Sequence, residues 1–178
     1  MKKIMFNDKY GLTDAVLEGR KTQTRRVMSE VDKQRILFDG WYAKYKVGEV
    51  VAVAQKYEDF YSFFVGLPEN VKKVSLKNKG WVNKMFVKAE LMPHHIRITN
   101  IRVENLQDIS DEDCLKEGII KLYFEKDYEY GYGFFGCPLE KFLCTPRDAF
   151  LTLIDKVSGK GTWESNPWVF VYDFELVD

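Results

Sequence analysis

The sequence predicts an α+β protein: a small, mostly antiparallel β barrel decorated with a few helices. Three observations lead there. Strand-like segments outnumber helical ones, the chain begins and ends in strand, and helical periodicity is confined to short, well-capped stretches. With no internal repeat, low-complexity segment or compositional shift to mark a linker, residues 1–178 are expected to form one domain.

Taken in order, residues 3–6 read as a first strand. Asn7 and Asp8 are N-caps for a helix reaching about residue 18, with Leu12, Ala15 and Val16 at helical spacing and Gly19 past its end. Residues 22–27 alternate, which places Thr22, Thr24 and Arg26 on one strand face with Lys21 at the turn before it. Residues 28–46, mixed and polar around Trp41, Tyr42 and Tyr45, read as irregular with a short hairpin. Residues 47–57 open with a turn and continue as a buried strand. Residues 58–92 hold many aromatics, among them Phe63 and Phe64, and a lysine-rich run at 72–79; they read as an insertion loop around a short strand or helix.

The second half is clearer. Residues 95–106 form a long strand with a bend or bulge near Asn100, where the apolar alternation breaks phase. Ser110 caps a short acidic helix that Gly118 ends. Residues 119–137, rich in Tyr, Phe and Gly, read as a long loop with marginal strand, part of a second insertion near 119–140. Thr145 as N-cap, Pro146 at the first helical position and Asp148 two further on start a helix with Phe150, Leu151, Leu153, Ile154 and Val157 as its buried stripe. A final strand begins at Trp168.

Composition excludes several classes. Lys and Arg total 27 and Asp and Glu total 27, so any nucleic-acid contact must come from a local patch rather than a basic excess. No apolar run approaches the roughly 20 residues of a membrane span, and the first eight residues turn polar early, so a cytoplasmic protein with no membrane association is expected. Cys114, Cys137 and Cys144 lack paired spacing and read as free thiols. His94 and His95 are adjacent on a strand and point to opposite faces, so no metal site is expected, and no cofactor.

The local patch is EGRKTQTRR, residues 18–26: four cations, Arg20, Lys21, Arg25 and Arg26, interleaved with Thr22, Gln23 and Thr24. Within it, GRKTQTRR after a short helix resembles the signature of ASCH domains, a family related to the PUA fold. Three further segments follow in the family's order: VGEVVAVA, HHIRITNIRVENLQDISDEDCLKEGI and NPWVFVYDFELV. The resemblance covers about half the chain and is nearest to the longer bacterial and phage proteins of the family. It implies a PUA-like pseudobarrel with a cleft below the signature loop, binding RNA or a small nucleoside or nucleotide. A more distant resemblance, to bacterial N(4)-acetylcytidine amidohydrolase, implies Lys21 as base, Thr24 as nucleophile and Glu117 as proton donor. Arg20, Thr22, Arg25 and Arg26 are then the expected ligand-binding residues. The aromatic-rich insertions near 58–92 and 119–140 depart from the family's shorter members.

The chemistry is self-consistent without the family. A Thr hydroxyl needs an adjacent base to act as nucleophile. Lysine serves as one only when burial or neighbouring cations lower its pKa. Glu117, at the negative end of its helix, is favoured in its protonated form. Plainer readings stand beside each: a solvated turn lysine, a solvent-facing strand hydroxyl, a surface glutamate, and arginines paired with the acidic helix. Three functions therefore compete: a non-catalytic RNA- or nucleotide-binding module with a cationic cleft, an amidohydrolase deacylating a nucleoside, and a protein-interaction adaptor of phage or mobile-element type with no partner named.

Overall fold

In the computed structural model, which describes residues 1–39, 43–61, 78–124, 129–137 and 143–178, two long strands carry the architecture. His95–Asn105 and Trp168–Leu176 pair antiparallel, from Ile96 opposite Leu176 to Asn105 opposite Trp168. In chain order the sheet strands are β1 (Lys3–Ile4), β2 (Gln23–Val27), β3 (Val50–Val53), β4 (His95–Asn105) and β7 (Trp168–Leu176). Their spatial order is β1-β3-β4-β7-β2, antiparallel except for β1 beside β3. β7 is covered on both faces: Val169, Phe170, Val171 and Tyr172 are all buried, as expected of a central strand made of an unbroken apolar run. The bend expected in β4 is present as a register shift between Ile98 and Asn100.

Among the described residues six α-helices accompany the sheet: α1 (Leu12–Leu17), α2 (Glu30–Asp39), α3 (Tyr57–Tyr61), α4 (Asp111–Lys116), α5 (Pro146–Ser158) and α6 (Thr162–Ser165). Their starts follow local chemistry. Thr145 Oγ1 accepts from the Asp148 amide at 3.1 Å, and Ser110 Oγ accepts from the Asp113 amide at 3.1 Å, each satisfying an otherwise unpaired first-turn N–H. Gly11, at φ +62°, separates α1 from a 3-10 turn over Asp8–Tyr10. A Cβ there would lie 2.7 Å from Phe135 Cβ, so glycine is required both for conformation and for space.

The two ends of the sheet do not pair through their backbones. Arg26, on β2, instead donates to the Met5 carbonyl just beyond β1 at 2.7 Å, so the two edge strands of the pseudobarrel meet through a side chain. Among the described residues no helix is long and apolar enough to cross a membrane.

Three expectations need correction. Residues 30–39 are helical, not irregular: Ser29 Oγ accepts from the Asp32 amide at 3.2 Å and the Ser29 amide donates to Asp32 Oδ2 at 2.9 Å, a reciprocal cap. The apolar side chains of α2 include exposed Val31 and Phe38, so its weak amphipathic pattern conceals it. The segment after Gly118 is a two-stranded sheet, β5 (Ile120–Phe124) with β6 (Glu129–Gly133), rather than a loop. The first helix starts at Leu12, because Gly11 interrupts it. Trp41, Tyr42, Phe63, Phe64 and most of the lysine-rich run lie outside the described residues.

Replacing Thr145 with Ala removes the α5 cap and should lower the unfolding free energy by about 1 kcal/mol in a urea titration. An unchanged midpoint and slope would show that the cap contributes nothing.

Candidate functional site

The signature segment and the acidic helix are brought together by backbone. Gly19, at φ +73°, ends the turn after α1, the Lys21 amide bonds to the Ala15 carbonyl at 2.8 Å and the Thr22 amide bonds to the Lys116 carbonyl at 3.0 Å. The last bond ties the start of β2 to the end of α4. Glu117 then follows as the C-cap of α4, and Gly118 turns away at φ +100°. A Cβ on Gly118 would sit 3.3 Å from Leu12 Cδ2 and 3.7 Å from Lys21 Cδ. The glycine that ends the acidic helix is therefore favoured by its left-handed φ and by the close approach of Leu12, with Lys21 in ordinary contact.

Lys21 and Glu117 form a buried ion pair. Lys21 Nζ is 2.6 Å from Glu117 Oε2 and donates to the Glu117 carbonyl at 2.7 Å, and the two side chains are only 2% and 6% exposed. Burial pushes the Lys21 pKa below its ordinary value; Glu117 opposes this without overcoming it, and Arg26 and Arg25 add to the depression. Glu117 Oε1 is also 3.3 Å from Arg25 Nη1.

Arg25 is the centre of the polar network. Its side chain is 1% exposed, and Nη2 lies 2.6 Å from Glu104 Oε1 and 3.0 Å from Asp113 Oδ2. Its Nη1 donates to Gln23 Oε1, and Gln23 Nε2 donates to Asp173 Oδ1 at 2.6 Å. Arg102 closes the set, 2.9 Å from Glu104 Oε2, 3.0 Å from Asp173 Oδ2 and paired with Asp113. Burial works to raise the Asp113 carboxyl, but the Arg25 hydrogen bond and the charges of Arg102 and Arg25 hold it below its ordinary value. Burial works equally against the Arg25 charge, and Glu117, Glu104 and Asp113 together raise its pKa.

A cavity of about 260 Å³ opens beside this network. Lys21, Thr24, Arg25, Arg26 and Glu117 contribute its polar wall; Phe6 and Leu12 with Phe150, Leu153 and Ile154 of α5 supply apolar surface. Thr24 is 4% exposed, and its hydroxyl makes no hydrogen bond with a described residue. Arg26 stacks on Phe6, with Cζ 5.6 Å from the ring centroid, and has no carboxylate within ion-pair distance among the described residues.

The other expected ligand contacts are placed differently. Arg20 is surface-exposed and pairs with Glu18 at 2.5 Å, outside the lining of the cavity. Thr22 lines a separate depression with Asp113 and Asp173. Thr22 lies just before β2; its carbonyl accepts from the Phe174 amide at 2.9 Å and its amide bonds to the Lys116 carbonyl. Arg25 takes the alternative left open in the sequence, pairing with the acidic helix. His94 and His95 both turn to Asp178: a ring nitrogen of His94 is 3.2 Å from the Asp178 carbonyl oxygen, and one of His95 is 2.7 Å from the side chain. Among the described residues no group of His, Cys, Asp and Glu is arranged to hold a metal ion.

Sequence reasoning missed Glu104 and Gln23 as partners of Arg25, and Arg102 and Asp173, which bond to those partners. Their signal is alternation: Gln23 with Arg25, and Arg102 with Glu104, sit two apart on their strands. What makes them neighbours is register, which puts Arg25 opposite Val171 and Arg102 opposite the same residue on the other side of β7.

No protein-family model matches the chain, and no curated protein is a significant match. Two solved structures are similar to it. One is an ASCH domain from Lactobacillus crispatus, at 14% identity and a TM-score of 0.41 over 96% of this chain and 75% of that one. The other is a protein from Enterococcus faecalis carrying the DUF984 family model, at 14% identity and a TM-score of 0.43 over 100% of this chain and 77% of that one.

Replacing Arg25 with Met leaves Glu104, Asp113 and Glu117 without their shared guanidinium, and should destabilise the fold by about 3–5 kcal/mol. Equal stability by chemical unfolding would show the network to be dispensable. Asp113→Asn tests the sign of its pKa shift. A depressed folded pKa adds stability above the unfolded value and loses it as pH falls through the folded one. The deficit of the variant should therefore be full near neutrality and shrink below the ordinary aspartate range; a deficit independent of pH would contradict the assignment.

Proposed function

We propose that the cleft binds a small acylated nucleoside and hydrolyses the N-acyl bond on its base, as the resemblance to the ASCH family and its amidohydrolase branch implies. The observation that carries this reading is the meeting of Lys21 and Thr24 with Glu117, 96 positions from the lysine, on one cavity where the Thr24 hydroxyl is unpartnered. At about 260 Å³ the cavity lies near the lower end of ligand pockets, roughly 300–1,000 Å³. An apolar wall suits a planar base. A polynucleotide, by contrast, needs a track of unmatched cations, and three of the four cations in the signature already have carboxylate partners.

In this reading Thr24 Oγ attacks the acyl carbon while its proton passes to neutral Lys21, the form that burial favours. The tetrahedral intermediate collapses, the C–N bond breaks, and the amine leaves with a proton delivered through Lys21 and Glu117. Water then cleaves the acyl–Thr24 ester, releasing a carboxylic acid and restoring the hydroxyl. Lys21 and Glu117 act as one proton-holding unit because they share a hydrogen bond.

The experiment is product formation from N(4)-acetylcytidine and related acyl nucleosides, measured beside ligand binding. Thr24→Ala should cut kcat by at least about 10³-fold while leaving binding nearly unchanged. Wild-type protein that binds these nucleosides or RNA and never turns them over leaves only the binding module. The pH profile is a second check. Neutral Lys21 is the active form, so log(kcat/KM) should rise with pH and level off below the ordinary lysine value. A profile still climbing through the ordinary lysine range would remove Lys21 as the base.

A further inference from the structure

A second cavity, of about 320 Å³, lies where the edge strands β1 and β2 approach each other, and shares Arg26 and Val27 with the cleft. Lys3, Arg26 and Lys44 face it, with the rings of Tyr45 and Tyr172. The Tyr45 hydroxyl donates to the Lys3 carbonyl at 3.0 Å, and the Lys44 amide donates to the Tyr172 hydroxyl at 3.2 Å, fixing residues 44 and 45 to the edges of the sheet. One carboxylate, Asp32, also faces the cavity. It is committed to the α2 cap, accepting from the Ser29 hydroxyl at 2.6 Å and amide at 2.9 Å, and makes no ion pair with a described cation.

The cations here differ from those of the rest of the signature. Arg26 gives one hydrogen bond to a carbonyl, Lys3 Nζ gives two, to Met85 and Val87 at 2.7 and 2.6 Å, and Lys44 Nζ lies 5.2 Å from the Tyr45 ring centroid. None has a carboxylate within ion-pair distance among the described residues. Burial and then the charge of Lys44 lower the Lys3 pKa, while burial, Arg26 and Lys2 lower that of Lys44, as expected for cations close enough to repel. An anion between them relieves that repulsion and meets a guanidinium fork, the geometry suited to phosphate.

We infer that this seam cavity is a phosphate site, and that the ligand of the cleft is a phosphorylated nucleoside whose base lies against the apolar wall while its phosphate lies between Arg26 and Lys44. The inference rests on the small-ligand reading of the cleft and names its substrate class. Arg26 joins the two halves of the site. It is a ligand-positioning residue at the seam and takes no proton in the reaction. An RNA strand fits less well, because the unmatched cations line one cavity rather than following a track.

The test titrates four probes by calorimetry: N(4)-acetylcytidine, its 5′-monophosphate, its 3′-monophosphate, and inorganic phosphate. For the wild-type protein one monophosphate should bind about tenfold tighter than the nucleoside, the gain expected of a charge-assisted phosphate contact. Lys44→Ala, an exposed position away from the cleft, should erase most of that gain and leave nucleoside affinity unchanged. Inorganic phosphate should bind wild type and lose affinity in both Lys44→Ala and Arg26→Gln. Equal affinity for nucleoside and both monophosphates, with no phosphate binding, overturns the inference even if acyl nucleosides are hydrolysed. Lys44-dependent phosphate binding without nucleoside binding keeps the anion site and removes the acyl-nucleoside reading. Tight binding of an oligonucleotide with no gain for either monophosphate also overturns the inference, in favour of strand binding.

Discussion

A lysine held against a glutamate inside the protein, at 2.6 Å and almost out of reach of water, is the constraint around which the rest is arranged. Burying two charges costs several kcal/mol unless geometry and further hydrogen bonds compensate. The compensation here is specific: the Glu117 carbonyl takes a second bond from the ammonium, and Arg25 meets the other carboxylate oxygen. To reach that geometry α4 must end where it does, Gly118 must adopt a left-handed turn beside Leu12, and Thr22 must bond to the last residue of the helix. The pair is therefore a product of the fold, since neither segment makes it alone.

The same pair sets the chemistry available to the cleft. Desolvation favours neutral Lys21, and ion pairing favours the charged form, with desolvation the larger. The Thr24 hydroxyl lines the same cavity as this lysine. Beside it, Arg25 and Arg102 with Glu104, Asp113 and Asp173 form an ion-pair network. Within the dense cationic signature Lys21 and Arg25 thus serve internal ion pairs. Arg20 stays on the surface with Glu18, and Arg26 reaches past the cleft to the Met5 carbonyl, joining the two edges of the sheet.

Much of the fold was legible because its signals are local. Thr145-Pro146 before an apolar stripe, Ser110 before acidic residues, and the phase break near Asn100 each mark a cap or bulge within a few residues. α2 was missed although Ser29 and Asp32 form a reciprocal cap, because the residues after it offer no strong apolar face. β5 and β6 were read only as marginal strand within a loop, and in β6 Gly131 and Gly133 weaken the strand pattern. In the site, Lys21, Thr24 and Glu117 were found through motif resemblance. The partners of Arg25 were not, since strand register decides them and one sequence does not reveal register. Thr22 lines a different depression from Thr24 and Arg26, a separation that strand alternation does not reveal.

The central claim is that desolvation and Glu117 act on Lys21 in opposite directions, with desolvation winning. Titrating the Lys21 ammonium by NMR, with lysine side chains isotopically labelled, measures this without any substrate. The account predicts a Lys21 pKa below that of the exposed lysines, and a further fall in Glu117→Gln, where the carboxylate that opposes desolvation is gone. A Lys21 that titrates with the exposed lysines, and does not move when Glu117 is neutralised, would contradict it.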